Sequence, residues 1–574
     1  MKKIITISEA DNMSPIINDI LNSLKNDDEY IIKFEKKTYH FYEEGCYTGN
    51  FSVSNNCSGT KNVAFALINK NNIEIDGNGA EFVFHGRIYP FIMQDSKNIT
   101  IHDISIDYSK PVCAWGTILS SNEKYFDLYI NENIDYEVNN GHIIFRGENH
   151  CFSSEDRKLL AGEFDLNKGR SADDAWLFYL KIGAARYEID NPAVRIMEVD
   201  ACEIGDRTVR FYFTEKSIKE KFKQGNGLIM HYETRDYGIF FAERTEDIHI
   251  KNVNIYRGVG MGIIAQRSRD IYVDNIKIMP KEDRGDLISI TADCIHAVNC
   301  SGNISITNSL FDRSLDDALN IHGIYSVVSE VLSEHEFTVK LMHEDQYHVK
   351  YYYKGDELTV IDNNDLGILG NVTIEQADFF DNEEKIIRIK AKEKIDDFIK
   401  SGVLIENPQN MPAVNFENNI IKSLSRTLIS TCKGTVIKDN KYIECKMPIF
   451  LIDCPQYWYE SGRICNVKII ENSFDDCCYD TGEKHSIIIT RKFSDKIFKV
   501  CTNKNIIIHK NKVKNSMLAL AEYIDGLSIT ENICEIENRK IENITSEIPI
   551  RLTCCKNATI ENNKTLIRSK GEKI

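Results

Sequence analysis

Short runs of alternating apolar and polar residues recur along the chain, most of them opened by Asn, Asp or Gly. Asn72-Ile-Glu-Ile, Asn98-Ile-Thr-Ile, Asp247-Ile-His-Ile, Asp270-Ile-Tyr-Val and Asn303-Ile-Ser-Ile are examples. Gly434-Thr-Val-Ile, Asn466-Val-Lys-Ile, Asn505-Ile-Ile-Ile, Gly526-Leu-Ser-Ile and Asn557-Ala-Thr-Ile follow. Period-2 alternation marks a strand with one buried face, and the opening residues accept the left-handed backbone of a sharp corner. Neighbouring runs start 26 (72 to 98), 23 (247 to 270) and 21 (505 to 526) residues apart. A period of that size signals stacked repeats, so the pattern predicts an all-β parallel β-helix, or solenoid. Asn440, Asn472, Asn511, Asn532 and Asn562 each follow their strand at a similar offset, which predicts a hydrogen-bonded asparagine ladder along one turn.

Two stretches lose this rhythm. Residues 112–232 and 325–405 carry longer alternating runs (125–130, 194–199, 208–213; 337–341, 357–361, 386–389) without the period. Each is long enough for a small antiparallel β-barrel inserted into a solenoid loop. The expected order is N-terminal β-helix 1–111, first barrel 112–232, central coils 233–324, second barrel 325–405 and C-terminal β-helix 406–574. One helix, near 14–24, is expected to cap the open solenoid end, as terminal repeats require.

At 574 residues the chain exceeds one ordinary core, but a solenoid core grows along one axis without that limit. A net charge of −17 argues against nucleic-acid or anionic-membrane partners, and mildly against a strongly anionic polysaccharide. Seventeen cysteines are scattered without zinc-ligand spacing, so buried reduced thiols are expected. The N-terminus lacks the apolar core of a signal peptide, and no stretch reaches the length of a membrane span. The expected location is the cytoplasm, or outside the cell if an export signal has been trimmed. GVGMG at 258–262 lacks the features of a phosphate loop, and no GxSxG is present.

The chemistry concentrates in TADCIHAVNCSGNISITNSLFDRSLDDALNIHG, 291–323, where Asp293 precedes the pair Asp316-Asp317 by 23 residues, about one coil. Strands on adjacent coils lie about 4.8 Å apart, which brings the three carboxylates together. Inverting glycosidases place an acid and a base about 6.5–9.5 Å apart, with room for a water; diverging side chains on neighbouring coils can supply that gap. Crowded carboxylates also separate their pKa values into an acid and a base. A DD pair alone is an ordinary turn; Asp293 one coil away, with His296, Asn320 and His322 in the same apolar frame, favours chemistry. His296 and His322 could bond sugar hydroxyls or tune the acids. A metal held by these histidines and aspartates lacks a ligand spacing to support it, and no metal or cofactor is expected. QYWYESG at 456–462 combines aromatic faces with a carboxylate, a mix that suits a sugar, so Trp458 and Glu460 join the candidates. Arg87 and Gln266 sit on repeat-like segments that could line the same groove.

Three motifs carry a family resemblance: NIEIDGNGAEFVFHGRIYPF…NITIHDISIDYSKP (72–111), GMGIIAQ…ADCIH…DDALNIHGIY (through Tyr325) and WYESG (458–462). With them the chain resembles glycoside hydrolase family 110, the inverting α-1,3-galactosidases. That resemblance implies a right-handed β-helix with two barrel insertions and exo-acting removal of terminal α-1,3-linked galactose from linear or blood-group-B-like glycans. It implies Asp293 as the acid and Asp316 and Asp317 as the pair holding the attacking water, the base among them being left open, and it implies no metal. The partner is then a galactose-terminated oligosaccharide; the oligomeric state stays open. Two other readings suit a β-helix: a polysaccharide lyase or sugar epimerase, which would need a Lys or Arg base, and a non-catalytic glycan-binding adhesin, which would not need converging acids.

Overall fold

The computed structural model describes residues 2–568 except 27, 149–150, 154–158, 174–176, 182–193, 215–220, 233–234, 396, 480–483, 492–499 and 538–548. Its spine is a parallel β-helix. A typical coil has three strands, such as Ile295–Val298, Ser301–Thr307 and Leu310–Asp312, each pairing in parallel with its equivalent one coil on. In earlier coils the last two strands merge into long bent ones, Asn71–His85, Lys97–Tyr108 and Glu246–Ile255.

Alternation determines what is inside. In the sheet that carries the candidate acids, Phe91, Phe240, Ile263, Ile295 and Leu319 form one in-register row facing the solenoid core. The next residue of each strand gives the outward row Ile92, Phe241, Ile264, His296 and Asn320. The first three pack under a cover that includes Phe51 and Val53. At His296 and Asn320 the outward row turns polar, before Leu428 and Phe450 make it apolar again, and there the candidate site opens.

The corners behave as their composition predicts. Asn72, Asn98, Asp247, Asp270, Asn466, Asn505 and Asn557 all have φ between 48° and 58°. In the run at 303 the left-handed residue is Gly302, φ 69°, one position earlier than the pattern indicated. The asparagine ladder is real but differs at both ends. Asn419 starts it, and Asn440, Asn472, Asn511 and Asn532 continue, each amide bonding the next asparagine's Oδ1 at 3.0 Å. The last rung is Asn563, bonded at 2.8 Å, and not Asn562. Asn562 sits at φ 55° and is exposed; the left-handed corner and the inward rung are adjacent residues, which composition alone cannot separate.

Residues Ala114–Ser121 through Gly227–Tyr232 form a sheet that returns on itself, because Leu159–Asp165 pairs with Gly227–Tyr232. Six strands from Ser326–Ser333 to Leu404–Glu406 form a closed barrel. This barrel leaves the solenoid after Leu319–Ile324, directly beside the candidate acids, and the chain re-enters at Ala413–Glu417. The helix Ser14–Ser23 buries Ile17 and Leu21 in the first coils' core. No disulfide joins the described cysteines, and no helix among the described residues is long and apolar enough to cross a membrane.

Candidate active site

Asp293 and Asp317 stand two residues before the in-register strands Ile295–Val298 and Leu319–Ile324. The coil here is 24 residues (Ile295 opposite Leu319), so Asp317, not Asp316, is the direct neighbour of Asp293. The Asp317 backbone N–H points at Asp293 Oδ1 at 3.4 Å. Asp316 sits one residue outward, with 30 % of its side chain exposed against 1 % for Asp317. One oxygen from each of the three carboxylates lies within 4.8 Å of the others. The side chains therefore converge, and the wider gap expected from the sequence is not present at their nearest oxygens.

Three clustered carboxylates repel unless each has a partner. Arg426 Nε donates to both oxygens of Asp317, at 2.8 and 3.1 Å. Arg235 Nη2 donates to Asp316 Oδ2 at 3.0 Å. Asp293 Oδ2 meets His296 Nδ1 at 2.7 Å. Two acids thus face guanidinium groups, which stay protonated, while the third faces an imidazole that can gain or lose a proton. Burial works against an ionised Asp293, but the His296 hydrogen bond, aided by Arg235 and Arg426, outweighs it and holds this carboxyl below the usual carboxylate range. Burial and the charge of Asp293 push Asp316 up. Burial pushes Asp317 well up too, against the pull of Arg426, with Asp316 and Asp293 adding to it. A divalent cation would meet acids already neutralised by two guanidiniums, so the cluster does not call for one.

His296 continues inward. Its Nε2 lies 3.2 Å from His322 Nε2, and His322 Nδ1 donates to Gly323 O at 2.7 Å. Both histidines are buried and every ring nitrogen has a partner, so they support the acid and are closed to sugar hydroxyls. Asn320 Nδ2 donates to Glu460 Oε1 at 3.4 Å, while its buried Oδ1 has no partner among the described residues.

Glu460 arrives from far along the chain because Glu460–Ser461 pairs antiparallel with the end of Leu319–Ile324. That loop is tightly held. Tyr457 and Tyr459 adopt φ 57° and 53°, uncommon for bulky residues, and a Cβ on Gly462 (φ 149°) would fall 2.1 Å from Ser430 O. Trp458 stacks on His343 of the barrel segment at 4.1 Å, and its carbonyl accepts from Gln346 Nε2. Barrel and solenoid loop together build this aromatic wall.

Two candidates are placed elsewhere. Gln266 is fully buried: its Nε2 donates to Ser52 O and Glu243 Oε1, and its Oε1 accepts from Ser54 N–H. It pins the segment that covers the outward face and lines no groove. Arg87 pairs with Asp236 at 3.2 Å over the Tyr237 ring, touching none of the acids. Sequence reasoning missed Arg235, Arg426 and His343. Arg426 follows Asp317 by 109 residues yet lies one coil away, because the barrel intervenes.

Over 569 residues the chain is 27% identical to alpha-1,3-galactosidase A of Shewanella woodyi, covering 97% of this chain and 88% of that protein. It is 23% identical over 572 residues to alpha-1,3-galactosidase B of Akkermansia muciniphila, covering 97% and 68%. With alpha-1,3-galactosidase B of Bacteroides thetaiotaomicron it shares 25% identity over 563 residues, 96% and 88%. No protein-family model matches. Among solved structures, the Yersinia enterocolitica family 28 exopolygalacturonase covers 100% of this chain and 79% of its own, at 9% identity and TM-score 0.34. Along almost its whole length the chain is a homologue of proteins named alpha-1,3-galactosidase, and its resemblance to glycoside hydrolase family 110 holds.

Proposed function

We propose that the protein is an exo-acting α-1,3-galactosidase that hydrolyses terminal galactose with inversion. The observation that carries the assignment of roles is the contrast within the cluster: His296 holds the Asp293 carboxyl low, while burial and the charge of Asp293 push the more exposed Asp316 up. In this reading, which departs from the roles the resemblance implies, Asp316 protonates the departing glycosidic oxygen, and Asp293, beside Asp317 on the adjacent coil, takes the proton of the water that attacks the anomeric carbon. In this reading the sugar lies between the acids and the wall formed by Trp458, His343 and Glu460.

Inversion rests on the family resemblance. The nearest-oxygen spacing, within 4.8 Å, is closer to the roughly 5–5.5 Å of retaining pairs than to the 6.5–9.5 Å of inverting ones, so the stereochemical outcome is the sharper test. Similarity to both A- and B-named relatives leaves linear and fucose-branched galactosides as alternative substrates, and hydrolysis of a glycan panel separates them. Galactose release from Gal-α-1,3-Gal by the wild type, lost in Asp316→Asn and Asp317→Asn, supports the assignment. Unchanged turnover in both variants removes it.

A further inference from the structure

Tyr325 directly follows the strand Leu319–Ile324 and is fully buried. Its ring packs with Ile361, Leu366 and Leu404 of the barrel and with Tyr459 of the wall loop. Phenylalanine would suit those neighbours, whereas a buried phenol needs a polar partner. Burial holds the Tyr325 phenol well above the usual tyrosine range, so it stays protonated and donates. Its acceptor is Asp453 Oδ1 at 2.8 Å. Asp453 ends the strand Met447–Asp453 and is the last residue before the wall loop. Cys454 then bridges Glu460 and closes the loop at its base, its N–H donating to Glu460 O at 3.2 Å. The Tyr325 backbone N–H donates to Tyr459 O at 2.8 Å. Tyr325 therefore grips the loop at both ends, with its phenol before the loop and its amide near the loop's close. The Gly462 N–H stabilises the same Asp453 carboxyl, which draws in the chain as it leaves.

The barrel holds the same loop from the other side, through the His343 ring on Trp458 and through Gln346 Nε2 on the Trp458 carbonyl. Those contacts tie the wall to the barrel; Tyr325 ties it to the strand that follows Asp317 and carries Asn320. Resting on the galactosidase reading above, we propose that Tyr325 is a positioning residue: by joining Asp453 and Tyr459 to that strand, it sets the reach of Trp458 and Glu460 toward the sugar. Its side chain is sealed behind the loop and touches no substrate. Without the phenol the wall shifts relative to the acids, while the acids keep their own partners, Arg235, Arg426 and His296. A wall that grips the sugar equally in the ground and transition states supplies uniform binding, so weakening it raises KM and spares kcat.

The test measures kcat and KM on Gal-α-1,3-Gal, together with thermal melts, for wild type, Tyr325→Phe, Asp453→Leu, Asp453→Asn and Tyr352→Phe. Tyr325→Phe deletes one hydroxyl and keeps the ring and the backbone N–H. Its expected KM is about three- to tenfold higher, with kcat changed less than about twofold. Asp453→Leu, which removes the acceptor, is expected to match it, and Asp453→Asn, which keeps an oxygen for the phenol, to stay within about twofold of wild type. The double variant Tyr325→Phe/Asp453→Leu should bind no worse than Asp453→Leu, because both substitutions remove one shared contact. Tyr352→Phe is the structural control. It deletes an equally buried hydroxyl, bonded to Ser326 Oγ at 2.6 Å, and is expected to lower the melting temperature without moving KM. If Tyr325→Phe does not fold, Asp453→Leu against Asp453→Asn makes the same comparison. An unmoved KM in Tyr325→Phe, a fall in kcat alone, or additive KM rises in the double variant overturn the positioning role. No galactose release by the wild type instead overturns the galactosidase reading beneath it.

Discussion

Replacing Arg426 with methionine isolates the energetics of the acid cluster. The guanidinium donates twice to Asp317, whose side chain is 1 % exposed, and lies 3.9 Å from Asp316. Removing one partner of a fully buried pair costs about 3–5 kcal/mol; Arg426 is 30 % exposed, and solvent screening lowers the figure to about 2–3 kcal/mol near neutral pH. The cost depends on pH in a definite direction. Asp317 already titrates above its ordinary value of 3.8 in the fold, and losing Arg426 raises it further. A carboxyl whose folded pKa is raised destabilises the fold while it is ionised, and the penalty fades as pH falls from the folded pKa toward the unfolded one. Thermal melts of wild type and Arg426→Met should differ by about 2 °C near pH 8 and converge as the pH falls toward the ordinary carboxylate range. Adding Asp317→Asn should recover most of the loss, because the unpaired charge goes with it. A gap that is constant with pH, or that widens on acidification, refutes this account of the cluster.

Asp316→Asn is expected to lower kcat/KM on Gal-α-1,3-Gal by about 10²–10⁴-fold, with a smaller loss on an activated aryl galactoside, both read by initial rates. Asn511→Ala breaks a rung whose amide bonds Asn532 Oδ1 and Ile469 O, and should cost about 1–3 kcal/mol in denaturant unfolding; Asn562→Gly, at an exposed left-handed corner, should cost none of it. Gln266→Ala should lower stability by a similar amount through its three lost hydrogen bonds while KM changes less than twofold.

The solenoid was legible because its period is written in local chemistry: Asn, Asp or Gly at each corner, then a period-2 strand. Both interruptions were legible as a loss of that rhythm. The ladder was readable in outline, but choosing Asn563 over Asn562 needed the backbone, since adjacent asparagines serve opposite needs. The acids were found from spacing, yet the register of 24 residues, which puts Asp317 opposite Asp293, differs by one from the spacing that drew attention to them. Arg426 was hidden by an insertion that separates neighbouring coils in sequence, and Arg235 because it lies in a loop between strands with no periodic signal. Gln266 was misjudged for a related reason. A polar residue on an outward row reads as accessible until the segment covering it is seen.

The central claim is inverting hydrolysis of an α-1,3-galactoside by these three acids, and proton NMR of the first minutes of Gal-α-1,3-Gal cleavage tests it most directly. The account predicts that β-galactose appears first and the α-anomer grows in only by mutarotation, with no signal from Asp317→Asn on the same timescale. Initial release of α-galactose, or undiminished release by that variant, would contradict it.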